Sequence, residues 1–209
     1  MFNNEADFRK PDEDKFSKHA KSRKRRRIFL IILFLILAVA LTIVFLFSHK
    51  FFLKEAHPLK YFDYVSASAK KYDIEPAFIY AVIYTESNFQ EKAVSRSGAI
   101  GLMQITKDTF EWLRKKRNDG PLDDSSLNDP QVNIDYGAYF LSILSSKYES
   151  ERNVLCAYNA GIGTVAQWLS DPEVSKDGKN LSVIPYLETR NYVDKVLKCK
   201  NMYSRLYFQ

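Results

Sequence analysis

Residues Tyr84 to Ile105, YTESNFQEKAVSRSGAIGLMQI, place a single carboxylate, Glu86, at the end of an apolar run and follow it with Gly98 and Gly101. In a helix, Ile79, Val82 or Ile83, and Glu86 share one face, because residues three and four apart are neighbours. A carboxyl group on an otherwise apolar stripe is poorly solvated, which favours its protonated form. Its place in the last helical turn adds the partial negative charge of unpaired carbonyls. Both effects raise the pKa. A carboxylic acid still protonated near neutral pH can protonate a leaving oxygen in glycoside cleavage. The spacing is equally compatible with a solvated glutamate at a frayed helix end.

Two further groups bear on that choice. Gly98 and Gly101 in SGAIGLMQ permit positive φ or close backbone approach, which suits a tight segment folded against the Glu86 helix, with Gln104 offering an amide to a ligand. In Ala157-Tyr158-Asn159-Ala160-Gly161, an aromatic surface and an amide adjoin at a helix end, a set suited to sugar hydroxyls and N-acetyl groups. Each segment alone fits an ordinary loop or helix cap as well. The absences are more restrictive. The histidines are His19, His49 and His57, all before or at the start of the folded part, so no Ser/His/Asp or Cys/His triad is well placed. Paired zinc ligands and phosphate-cradling glycine motifs are missing. Carboxylate, amide and hydroxyl chemistry remains, with no metal or cofactor expected.

The elements that must position these groups are predominantly helical. Helical spacing runs from Pro58 to Tyr72 and from Pro76 through FIYAVIYTES. It resumes from Lys107 to Lys116 and from Asp129-Pro130 to Tyr148. Two shorter helices flank Asn159 to Gly163, and a last one starts near Pro185. Only Val94 to Ile105 would hold a small irregular hairpin. The fold class expected is mainly α, one helical catalytic domain over 58–209.

Before that domain, residues 28–48 read IFLIILFLILAVALTIVFLFS without a charge. As a helix this is about 31 Å long, matching a hydrocarbon core of about 30 Å. It is longer than the apolar core of a cleavable signal and closes on Ser48-His49-Lys50-Phe51, which predicts an uncleaved transmembrane anchor. Residues 49–57 then form a connector. Residues 1–27 are charge-rich and expected to be disordered. They hold 10 Lys/Arg against 5 Asp/Glu, so five of the chain's six net positive charges lie in this tail. The positive-inside rule keeps the tail cytoplasmic and puts the domain outside, a single-pass type II arrangement. Topology and anionic lipid account for the basic cluster, and nucleic acid is not an expected partner. A membrane helix rather than a lipidated cysteine favours a Gram-positive surface over a periplasm. Cys156 and Cys199 fall on the outer side, where a disulfide is permitted, although the helical run VLCAYNAG suits Cys156 as a small buried thiol.

Taken together, four blocks resemble the catalytic domain of soluble lytic transglycosylases, which share the lysozyme-like α+β fold of goose-type lysozymes. They are TESNFQEKAVSRSGAIGLMQITKDT, NIDYGAYFLSIL, VLCAYNAGIGTVAQW and IPYLETRNYVDKVL, in the family's order, within about residues 58–200. The resemblance implies Glu86 as catalytic acid and then base. It implies Ser95, Gln104, Tyr158, Asn159 and Glu188 as substrate-binding residues, with Tyr158 orienting the carboxyl group, and Gly98, Gly101 and Gly161 as turn residues. It also implies cleavage of the MurNAc-β-1,4-GlcNAc bond of peptidoglycan without water, ending in a 1,6-anhydro ring. The sequence departs from the family pattern at Thr106-Lys107, where Met-Pro is common, and at Ile162, where Pro is frequent. A goose-type lysozyme-like hydrolase, with Asp135 or Glu188 as second carboxylate, and a non-catalytic peptidoglycan-binding scaffold are the alternatives.

Overall fold

The computed structural model describes residues 13–209, which divide between Ala56 and His57 into two compact units. In the first, helix α1 runs Glu13–Ala56, and its apolar side chains are exposed from Ile28 to Phe47. It is long and apolar enough to cross a membrane. Of the tail expected to be disordered, residues 1–12 lie outside the described residues, whereas 13–27 are helical. Lysine and arginine are good helix formers and extend a helix already nucleated by the neighbouring apolar run. For the same reason the expected connector is helical as far as Ala56.

The second unit contains α2 (Phe62–Tyr72), α3 (Pro76–Ser87), α4 (Lys107–Arg117), a 3₁₀ turn (Asp124–Asn128) and α5 (Pro130–Lys147). It continues with α6 (Glu151–Ala160), α7 (Ile162–Ser170), α8 (Leu187–Tyr203) and a closing π turn (Ser204–Phe208). Pro76 opens α3, where its fixed φ suits the first turn and its missing N–H would have no partner anyway. Asn88, in the left-handed region, ends the helix and donates its N–H to the Tyr84 carbonyl at 3.1 Å. Between these ends Ala77 to Ile83 are all buried, so α3 is the central helix, packed by α2, α5 and α8. Asp129 caps α5 by accepting from the N–H groups of Gln131 (2.8 Å) and Val132 (3.1 Å). Cys156 and Cys199 are buried free thiols. At the C-terminus, the hydroxyls of Tyr203 and Tyr207 donate to the carbonyls of Pro58 and His57, which ties the end of the unit to its start.

The hairpin expected near Val94 to Ile105 is reduced to two isolated bridges, Val94 with Ile100 and Ile100 with Ile105. Its conformation is fixed mainly by Asn133 of α5, which is fully buried. The Asn133 side chain accepts from the Met103 N–H at 2.7 Å and donates to the carbonyls of Ile100 (2.9 Å) and Leu127 (2.8 Å). Gly101 sits at φ +79° against this amide, and a Cβ there would collide with both Asn133 and the Leu127 carbonyl. One helical turn on, Gly137 leaves room for the Met103 side chain, which a Cβ would displace. Asn133 and Gly137 therefore grip the turn as an i, i+4 pair on one helix face. Replacing Asn133 by Ala would leave the Met103 N–H and the Leu127 carbonyl, both buried, without a partner, while the Ile100 carbonyl would keep only the Ile105 N–H. We expect a stability loss of about 3 kcal/mol in chemical denaturation. A loss under about 1 kcal/mol would show that the turn holds itself.

Candidate functional site

Glu86 lies in the last turn of α3, half-buried. The next residue, Ser87, is buried and donates its hydroxyl to the Leu102 carbonyl at 2.8 Å, which fastens the glycine turn to the end of the helix. The hydroxyl of Tyr158 on α6 donates to the Met103 carbonyl at 2.8 Å. The turn is thus bonded by three elements on consecutive residues: Ser87 of α3 at Leu102, and Asn133 of α5 and Tyr158 of α6 at Met103.

Around the carboxyl group, the half-buried Tyr158 and the buried Tyr192 supply two phenols whose own ionisation is suppressed, first by loss of solvation and then by the Glu86 charge. Desolvation is likewise the largest influence on Glu86 and pushes it up to about 7, against the opposing effects of the Tyr192 hydroxyl and the Lys195 ammonium. Tyr192 eases the ionisation from nearby, yet its hydroxyl makes no hydrogen bond of standard geometry among the described residues. It is the approach of a buried, unsatisfied donor to a carboxyl group rather than a formed bond. Near neutral pH Glu86 is therefore poised to exist in both forms, the property a group needs to donate a proton and later recover one.

The other expected residues divide by how fully their polar atoms are committed. Ser95 closes the turn on itself, its Oγ accepting from the Ala99 N–H at 3.0 Å and pairing with the Ser97 hydroxyl at 2.9 Å. Gln104, in the left-handed region at φ +48°, folds back and donates its amide to the carbonyls of Ala93 (3.0 Å) and Gly101 (2.8 Å). Only its side-chain oxygen is left for a ligand. Tyr158 spends its hydroxyl on the backbone, so its ring walls the site without hydrogen bonding to Glu86. Asn159 and Glu188 are exposed and line one cavity of about 530 Å³ together with Tyr186. Gly98 and Gly161 adopt φ +78° and +92° with open space where a Cβ would be, so backbone conformation rather than crowding calls for glycine. Thr106, where the family pattern lapses, caps α4 by accepting from the Thr109 N–H at 3.2 Å.

Of the two candidate second carboxylates, Asp135 is engaged elsewhere. It bonds Lys71 at 2.8 Å, the Tyr72 hydroxyl at 3.0 Å and Arg117 at 2.5 Å. Burial would raise its pKa, but these partners outweigh burial and hold it below the usual carboxylate range. Glu188 stands in the first turn of α8, one turn before Tyr192. The sequence singled out neither Tyr192 nor Asn133. Tyr192 was signalled by its i, i+4 spacing from Glu188, and Asn133 by a lone amide on the apolar face shared with Gly137.

These features can be set beside known proteins. A family model described as "Transglycosylase SLT domain" matches residues 63–181. The chain is 34% identical over 179 residues to the membrane-bound lytic murein transglycosylase C of Edwardsiella ictaluri, and 35% identical over 174 residues to that of Pectobacterium atrosepticum. Each match takes in 73% of the chain and 48% of the relative, so the chain spans about half the length of these curated proteins. Among solved structures, an inactive mutant of the lytic transglycosylase Slt from Pseudomonas aeruginosa is similar with a TM-score of 0.64 and 32% identity. The 70-kDa soluble lytic transglycosylase of Escherichia coli gives 0.65 and 30%. Both matches cover 73% of the chain and 25% of the larger structure. A complex of the 70-kDa enzyme with bulgecin A gives 0.67 and 29%, over 75% of the chain and 26% of that structure.

The raised carboxyl has a measurable consequence. Its folded value of about 7 exceeds its ordinary 4.5, so the folded state holds this proton more tightly than the unfolded chain. The associated stability is complete below about pH 4.5 and is lost as pH rises through about 7. Glu86→Gln removes that dependence. We expect the variant to be more stable than the parent at about pH 9, by up to roughly 3 kcal/mol, with no gain at about pH 4. Equal stability differences at both pH values would show that the carboxyl is not desolvated.

Proposed function

The chain belongs to the transglycosylase SLT domain family, with its lysozyme-like helical fold, and from that premise we propose that it is a peptidoglycan lytic transglycosylase. The observation that carries the proposal is the environment of Glu86: one carboxyl, half-buried, raised to about 7, between two phenols, with Asp135 committed to cations elsewhere. The substrate is the MurNAc-β-1,4-GlcNAc bond. Protonated Glu86 gives its proton to the glycosidic oxygen as the bond from that oxygen to C1 of MurNAc breaks, and GlcNAc leaves as an alcohol. The N-acetyl group of the substrate stabilises the cation at C1. Ionised Glu86 then takes the proton of the C6 hydroxyl, O6 bonds to C1, and the 1,6-anhydro ring closes with the acid restored. No water is consumed, and one carboxyl serves both steps.

In this proposal Tyr192 is the donor that eases the ionised stage, and the ring of Tyr158 excludes water from the carboxyl. Asn159 and Glu188 bind sugar hydroxyl and N-acetyl groups in the cavity they share, while the Gln104 oxygen and the Ser95 turn contact the strand near the reacting bond. The membrane helix holds the domain to the outer face of the cell membrane, with the basic tail inside. A Gram-positive surface suits such an anchor.

The test is to incubate the full chain, in detergent micelles, with purified peptidoglycan and to weigh the soluble fragments. Anhydro-ended muropeptides from the parent and a loss of at least about 10²-fold with Glu86→Gln are expected. Tyr192→Phe should leave products unchanged while moving the acid form of Glu86 to higher pH in the pH–rate profile, because a group that favours ionisation is gone. Reducing-end fragments would establish a hydrolase, and binding without fragments a scaffold.

A further inference from the structure

We propose that the groove between the start of α4 and the α6–α7 junction is an outer sugar subsite, with Trp112 as its stacking platform. The inference rests on the glycan-cleaving function proposed above and extends it to a residue that the four family blocks do not single out. The groove has a volume of about 410 Å³ and includes Tyr158 and Asn159, so it is continuous with the wall of the Glu86 site.

Helix α4 buries Phe110 and Leu113, which satisfies its packing, yet leaves the Trp112 indole 40% exposed over the groove. The ring is nonetheless fixed. It stands edge-on to Phe140 at 6.0 Å and 79°, and Phe140 packs on Tyr158 at 5.0 Å. Three aromatic rings thus run in contact from the groove to the catalytic wall.

What surrounds the ring identifies the ligand class. Ile162 and Ala157 extend the apolar floor, while the hydroxyls of Thr106 and Thr109, the Asp108 carboxylate and the Asn159 amide form a polar edge. A pyranose ring presents that division in reverse, with an axial C–H face for the indole and equatorial hydroxyl and acetamido groups for the edge. Thr106 thereby acquires a second role beside capping α4, and the departure from the family pattern at this position places a hydroxyl where an apolar side chain is common. The occupant is a further N-acetylated sugar of the same strand.

Binding of β-1,4-linked N-acetylglucosamine oligomers to the full-length Glu86→Gln protein, measured by calorimetry, tests this apart from catalysis. A long oligomer should bind more tightly than a short one. Adding Trp112→Ala should abolish that gain, on the order of tenfold in Kd, and Trp112→Phe should recover much of it. An undiminished gain in the Trp112→Ala protein overturns the subsite, as does an equal loss for long and short oligomers, which would mean a general disturbance or a face meant for another partner. Fragment release by the parent from peptidoglycan is scored separately. Its absence would defeat the proposed reaction while leaving the length dependence of binding to decide the subsite.

Discussion

The buried side chain of Asn133 is the contact on which the site depends. It uses one acceptor and two donors to bond three backbone groups, of which the Met103 N–H and the Leu127 carbonyl have no other partner among the described residues. With the turn held there, Leu102 and Met103 present carbonyls to Ser87 and Tyr158, and so join the ends of α3 and α6. Glu86 stands beside one of these anchors and Tyr158 is the other. A buried amide can do this only when every one of its groups is satisfied, since a buried polar group left unpaired costs more than a hydrogen bond contributes. Gly101 and Gly137 make the approach possible, so the clamp consists of an amide and two absent side chains.

Two carboxylates in this fold show how environment divides roles. Asp135 and Glu86 are both taken partly from water, which alone would raise both. Asp135 gains Lys71 and Arg117 within hydrogen-bonding reach and stays ionised as a structural tie between α2, α4 and α5. Glu86 meets only a misaligned phenol and the charge of the Lys195 ammonium, so desolvation prevails and the proton is held to about 7. The first arrangement is suited to stability. The second leaves a group near its own midpoint, able to act in both directions within one turnover.

Much of this was legible in the residues. Proline and aspartate signals gave the starts of α3 and α5, the glycines gave the turn, and helical spacing put Glu86 on an apolar face. What escaped was the use of polar atoms that secondary structure does not consume. Gln104 was legible as an amide beside the site, but its donors fold back onto Ala93 and Gly101, which only the left-handed backbone at that residue explains. Tyr158 was expected to orient the carboxyl, and its hydroxyl goes to Met103 instead. Tyr192 comes to Glu86 from a helix over a hundred residues later, a juxtaposition that periodicity cannot reveal. Thr106 looked like a lapse in a pattern, yet threonine preceding an exposed helix is a cap on physical grounds alone.

The central claim is that one carboxyl both gives and takes the proton, so that the ring closes with no atom supplied by water. Cleavage of purified peptidoglycan in water enriched in oxygen-18 tests it most directly. The account predicts fragments whose new ends carry no label, at any extent of reaction. Label at the anomeric carbon of the new ends, appearing in step with cleavage, would mean that water attacks that carbon and would contradict it.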